Sequence, residues 1–192
     1  MSKELFKPGN MLYPVPAALV SVGKYEKEGD EKDCNMLTIA WTGTVCSDPA
    51  MLYISVRPSR FSYHILKETG EFVLNLTNRK IAAVTDMLGV KSGKDHNKFA
   101  LSGLTPEKAH VVKAPLVKEA PVNIECKVKD IIPLGSHDMF LAEVVSVSVD
   151  KDLLDEKGRL ALEKADLIAY SHGQYFALGD LLGSFGWSVR KK

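Results

Sequence analysis

Short apolar runs, alternating or continuous, punctuate the chain, and turn-forming or charged residues bound each of them. VPAALVSVGKY (15–25) predicts a strand closed by a turn, and EKEGDEKD (26–33) a solvated charged loop. MLTIAWTGTVCS (36–47), MLYISV (51–56) and EFVLNL (71–76) all have strand character. Between the last two, RFSYHILKETG sets Phe61, Ile65 and Leu66 at helical spacing and ends in a glycine suited to a C-cap. RKIAAVTDMLG (79–89) predicts a second short helix, again ending in glycine. Residues 91–110 are polar and rich in Gly and Lys, which predicts an ordered loop excursion rather than a core element. Strands resume at VNIECKVKDIIPL (122–134) and at MFLAEVVSVSVD (139–150), where the alternation is only partial. LIAY (167–170) and a Gly/aromatic tail (175–192) close the pattern. Six or more strands, two short helices and no βαβαβ alternation predict a mainly β chain: an antiparallel β-barrel with peripheral helices, as one domain over residues 1–192. A doubly wound sheet fits this order less well.

Composition narrows the functional classes. The formal net charge is +1, so no overall field favours nucleic acid or an anionic membrane, and any anion site must be a local device. The first residues, MSKELFKPGN, lack the apolar stretch of a signal peptide, and no apolar run reaches the length of a membrane span. Cys34, Cys46 and Cys126 are odd in number and lack zinc-like spacing, which predicts reduced thiols in a cytoplasm, with Cys46 and Cys126 in the core. The histidines at 64, 96, 110, 137 and 172 show no HxH or HxxxH pairing, so no metal is expected. Neither a GxGxxG turn nor a P-loop is present.

Two stretches carry candidate chemistry. The strand 51–56 ends directly in Arg57-Pro58-Ser59-Arg60. With Ser59 as N-cap of a helix starting near Arg60, and Ser62 in its first turn, two arginines and two hydroxyls form a cradle for a monophosphate. Solvated arginines beside an ordinary cap fit the same spacing. On the preceding strand, Asn35, Thr38, Ala40, Trp41, Thr42, Gly43 and Thr44 mix hydroxyls and an amide with small residues and an indole. Such a mixture suits the face and edge of a flat heterocycle; a two-faced strand with threonines outward and Trp41 in the core fits it as well.

Taken in order, these residues resemble the flavin reductase-like, FMN-binding split-barrel family, nearest to the flavoredoxin type. The likeness runs through Asn35, Thr38, Ala40 and Trp41 to Ser47-Asp48-Pro49, then Ser55 to Arg60 and Glu71 to Leu76. It continues with Asp95, Lys98 and Phe99, Ala114-Pro115, Glu125-Cys126 and Gly135 to Phe140, and ends with Tyr175 to Gly179, Gly183, Phe185 and Gly186. The resemblance implies a six-stranded antiparallel split barrel, a homodimer and an FMN near the subunit interface. It implies that Thr38, Ala40, Trp41, Thr42 and Thr44, with Asn35, line the flavin. Arg57, Ser59, Arg60 and Ser62 would take the phosphate, with Lys91 as an added phosphate or ribityl contact, and Asn75 and Leu76 would meet the ring or ribityl chain. His137, in Gly-Ser-His-Asp, would face the open side of the flavin, where nicotinamide could stack. The implied activity is NAD(P)H-dependent flavin reduction, with NADH or NADPH as reductant and no residue required as acid or base. A non-enzymatic FMN electron carrier reduced by a partner protein is the alternative, and a flavin-free binding module a third.

Overall fold

The structure is a computed structural model and describes residues 2–190. Its strands are β1 (Val15–Pro16), β2 (Ala18–Val22), β3 (Asn35–Ile39), β4 (Thr42–Ser47), β5 (Ala50–Val56) and β6 (Glu71–Leu76). After these come β7 (Pro106–Glu107), β8 (Leu116–Val117), β9 (Val122–Pro133), β10 (Asp138–Val149), β11 (Ile168–Ser171) and β12 (Gln174–Ala177). Helices α1 (Ser62–Thr69), α2 (Ala82–Val90) and α3 (Lys98–Ser102) lie between them.

Seven strands form one antiparallel sheet in the order β3-β2-β6-β9-β10-β5-β4. Its two edge strands, β3 and β4, are consecutive in sequence and joined by Ala40 and Trp41 alone. Two residues span at most about 7 Å, so the sheet must curl until its edges meet. The Ser55 N–H, donating to the Trp41 carbonyl at 2.9 Å, stitches that corner. The run 36–47 expected as one strand is thus one strand bent at its middle; counted so, the barrel has six strands. A second sheet, β1-β11-β12, packs beside it.

The period-2 pattern of the strands builds the interior. Ala18, Val20 and Val22, Leu37 and Ile39, Leu52, Ile54 and Val56, Phe72 and Leu74, Cys126, Phe140 and Ala142 form one buried cluster inside the barrel. Tyr63 and Leu66 of α1 plug it. β2 is buried along its whole length because its outer face is covered too: Leu19 packs with Leu88 of α2, Phe99 of α3 and Val117 of β8. On β10 the partial alternation has a geometric cause, since register shifts against β9 fall between Leu141 and Ala142 and between Val144 and Ser146.

Three local expectations need correction. The stretch 91–110 holds α3, whose Phe99 is a core residue and whose Asn97 caps Ala100 N–H at 3.1 Å, and the short strand β7. Gly89 lies inside α2 rather than ending it, because the helix runs on to Val90. Cys46 is half-exposed on an edge strand, whereas Cys126 is buried.

Candidate functional site

The barrel corner at Ala40–Trp41, the end of β5, the turn 57–61 and the C-terminal end of α2 converge on one two-lobed cleft. Its lobes, about 460 and about 280 Å³, share Leu37, Thr38, Arg57, Arg60 and Gly89 along their common wall. Such volumes fall in the range of small-molecule sites.

The smaller lobe is an anion receptor by composition. Arg57, Arg60, Lys91 and Lys98 line it together with Asn35, Ser59 and Ser62, and no lining residue carries a carboxylate. None of the four cations is ion-paired among the described residues. Asn35 donates through Nδ2 to Ser62 Oγ at 2.7 Å, which fixes both polar groups on the lobe's wall. Gly93 backs Asn35 so closely that a Cβ there would come within 2.4 Å of its Oδ1. Arg60 Nη1 donates to the Gly89 carbonyl at 3.3 Å and Lys98 Nζ to the Leu88 carbonyl at 2.6 Å, so two of the cations also sit on the negative end of α2. The cap differs from expectation. Residues 57–60 form a turn, with the Arg60 N–H on the Arg57 carbonyl; α1 begins at Ser62, and neither Ser59 nor the residue in the cap position, Phe61, makes a side-chain cap. Ser59 still lines the lobe, from the turn.

The larger lobe is a slot. Thr38, Ile39, Ala40 and Trp41 give one strand edge of it, and Thr38 Oγ1 is held by donation to the Thr85 carbonyl of α2 at 2.5 Å. His137 packs against Trp41 with ring centroids 4.5 Å apart and the ring planes tilted by 41°. Burial, then the charges of Arg57 and Arg60, lower the His137 pKa from its ordinary 6.5, which favours the neutral imidazole. Tyr63 O–H donates to the carboxylate of Asp138, tying the turn that presents His137 to α1. Asp86, Tyr170 and Tyr175 complete the lining; burial and then Asp86 raise the Tyr175 phenol to about 12.

Asn35, Thr38, Ala40, Trp41, Arg57, Ser59, Arg60, Ser62, Lys91 and His137 therefore meet at one cleft. Thr42, Thr44, Asn75 and Leu76 do not line it. Thr42 is buried with its hydroxyl donating to the Tyr53 carbonyl at 2.6 Å, and Thr44 is exposed on β4 beyond the corner. Asn75 is fully enclosed: its Nδ2 donates to Leu19 O and Ser21 Oγ, and its Oδ1 accepts from Val117 N–H and Asn123 Nδ2, leaving nothing for a ligand. Leu76 packs with Val122, Leu153 and Ala165. Conversely, Lys98, Asp86, Tyr170 and Tyr175 line the cleft without having been assigned to it from sequence. A lysine in the stretch KSGKDHNK (91–98) reads as solvated, and only the fold of α3 buries it. Among the described residues no group of three or more His, Cys, Asp or Glu side chains could hold a metal ion.

Residues 11–179 match the flavin reductase like domain, and the chain belongs to that family. Its barrel is thus a split barrel of the flavin reductase type, and its function is flavin-related. An uncharacterised protein of Pyrococcus abyssi is 29% identical over 145 residues, covering 76% of this chain and 80% of its own. Among solved structures, flavoredoxin of Desulfovibrio vulgaris superposes with a TM-score of 0.88 at 29% identity, covering 98% of this chain and 100% of that one. Nitrilotriacetate monooxygenase component B from Bacillus cereus superposes with a TM-score of 0.78 at 25% identity, covering 90% and 88%.

Proposed function

We propose that this chain binds FMN and reduces it with NADH or NADPH, passing the electrons to a further acceptor. The observation that carries the reading is the carboxylate-free cluster of cations in a lobe that opens into a flat slot. In this reading Arg57, Ser59, Arg60, Ser62, Asn35 and Lys91 receive the phosphate. Thr38, Ala40 and Trp41 receive the ring, the small Ala40 allowing close approach of the backbone. FMN, when bound, supplies acceptance of a hydride and onward release of electrons. The chain's own groups bind and orient. Arginine offers a planar donor pair matched to phosphate, and His137 beside Trp41 offers an aromatic face to the neutral dihydronicotinamide ring of the reductant. No side chain is assigned as acid or base. The homodimer we propose with it would use the exposed apolar residues of the C-terminal segment.

A second reading is an FMN electron carrier that a partner protein reduces; the full-length similarity to flavoredoxin favours it. An absorption spectrum before and after anaerobic NADH and NADPH separates the two. Flavin absorption that bleaches with a nicotinamide nucleotide supports the reductase, and absorption that persists supports the carrier. A protein that takes up no FMN on reconstitution sinks both. For the cradle, Arg57→Ala and Arg60→Ala are expected to weaken FMN by roughly 10- to 150-fold each while riboflavin is little affected. Equal losses for the two ligands would reject the phosphate assignment.

A further inference from the structure

Lys98, on the floor of the smaller lobe, has no counter-charge. Only 4% of the residue is exposed, and lysines are rarely so buried unless paired. Its Nζ, with three N–H donors, makes one bond, to the Leu88 carbonyl. No carboxylate pairs with it among the described residues, and none lines the lobe. The charged groups that line the lobe with it are all cations: Arg57 and Arg60 from the turn before α1, and Lys91 after α2. β3 contributes the neutral Asn35 and Thr38, and α1 the neutral Ser62. Satisfying the Leu88 carbonyl does not by itself explain a buried ammonium, since a neutral donor or water would serve that end at less cost.

We propose that Lys98 is the specificity-determining residue by which this cleft selects a phosphorylated flavin over an unphosphorylated one, its spare N–H donors meeting the phosphate from the lobe floor. The inference rests on the FMN reading above and adds to it a residue and a linkage. Arg57, Arg60 and Lys91 are exposed, and water and salt screen them; the buried ammonium is screened far less, so it discriminates most. Burial, and then the charge of Arg60, lower Lys98 to about 8 in the ligand-free chain. A dianion in the lobe reverses that field and holds the proton on Lys98. FMN binding at pH 8 therefore takes up a fraction of a proton, and riboflavin binding takes up none. At that pH the phosphate, with a second pKa of about 6, is already ionised, and His137, below 6.5, is already neutral.

The test titrates flavin-free protein with FMN and with riboflavin by calorimetry at pH 8, in two buffers of different ionisation enthalpy. Wild type, Lys98→Met and Lys98→Arg are compared, with thermal unfolding of each flavin-free form. Lys98→Met is expected to raise the FMN Kd about 10- to 150-fold and by more than Arg57→Ala or Arg60→Ala measured beside it, to leave riboflavin unchanged and to abolish proton uptake. An arginine variant with the larger FMN-selective loss overturns the inference. It should also raise the Tm of the flavin-free protein, because an uncompensated buried charge is gone. Lys98→Arg keeps the preference for FMN without the uptake, since a guanidinium stays charged at this pH. An FMN-to-riboflavin ratio that Lys98→Met leaves unchanged overturns the inference while the FMN reading stands. Equal loss of both ligands with a lowered Tm makes Lys98 structural and overturns it as well. A wild type that binds neither flavin overturns the FMN reading, and this inference with it.

Discussion

Glu125 is the most deeply buried carboxylate of the barrel wall, and it stabilises structure rather than performing chemistry. Its Oε1 accepts from His110 N–H at 3.0 Å, and its Oε2 from Val111 and Val112 N–H at 2.7 and 3.0 Å, so one side chain of β9 anchors the excursion before β8. Burial alone would raise its pKa, but those three amides and Ser146 outweigh it and hold the carboxyl below 4.5. A folded-state pKa below the unfolded one gives stability that is present above the unfolded value and is lost as pH falls through the folded one. Glu125→Gln is expected to cost about 1–3 kcal/mol at neutral pH and to flatten the acid limb of stability. Thermal unfolding from pH 7 to pH 3 checks both parts; an unchanged acid limb would show that other carboxylates carry it. Asn75 resembles Glu125 in kind: its side chain reads as a ligand contact until the amide is seen to be saturated by Leu19, Ser21, Val117 and Asn123.

The elements that matter for the cleft are the bend in β3–β4 and the segment from α2 to α3. The bend turns the wall of the barrel out at Ala40–Trp41 and puts Thr38 on the cleft while Thr42 and Thr44 are carried past it. The α2–α3 segment presses Gly93 against Asn35, where even a methyl group meets the carboxamide at 2.4–2.6 Å. Gly93→Ala is therefore expected to displace Asn35 from Ser62, costing about 1–3 kcal/mol of stability and weakening FMN binding. Chemical denaturation and a flavin titration check it. Unaltered values for both would mean that the segment yields more easily than its packing implies.

At the scale of the whole molecule, the barrel is filled and one region is conspicuously unfilled. Leu181, Leu182 and Phe185 are 86, 88 and 104% exposed, and Trp187 is 59% exposed with its ring against Gly183. Leu5, Phe6 and Leu12 near the other end of the chain are also exposed. Apolar surface of this kind marks an interaction site. The homodimer proposed above predicts that removing residues 178–192 lowers self-association while leaving the barrel folded. Sedimentation with circular dichroism checks this; a truncated form that sediments like the full chain would place the contact elsewhere. No helix among the described residues is long and apolar enough to cross a membrane.

The sequence by itself determined the longer strands β2, β5, β6, β9 and β10, because each is an apolar run bounded by turn or charged residues, and the helix α1, whose apolar spacing and terminal glycine are local. The two-residue strands β1, β7 and β8 carry no such signal. It also determined the cation-rich turn after β5 and the small, polar and aromatic set at 38–41, since these residues are neighbours along the chain. Only the tertiary structure decided what depends on contacts across many residues. Lys98 is buried by packing of α3 against β3, Asn75 is saturated by partners up to 56 residues away, and Cys46 on β4 lies outside every buried cluster of the described residues. A single strand read over 36–47 became two because the ends of a twisted sheet had to meet there, a requirement of closure that no window of the sequence contains.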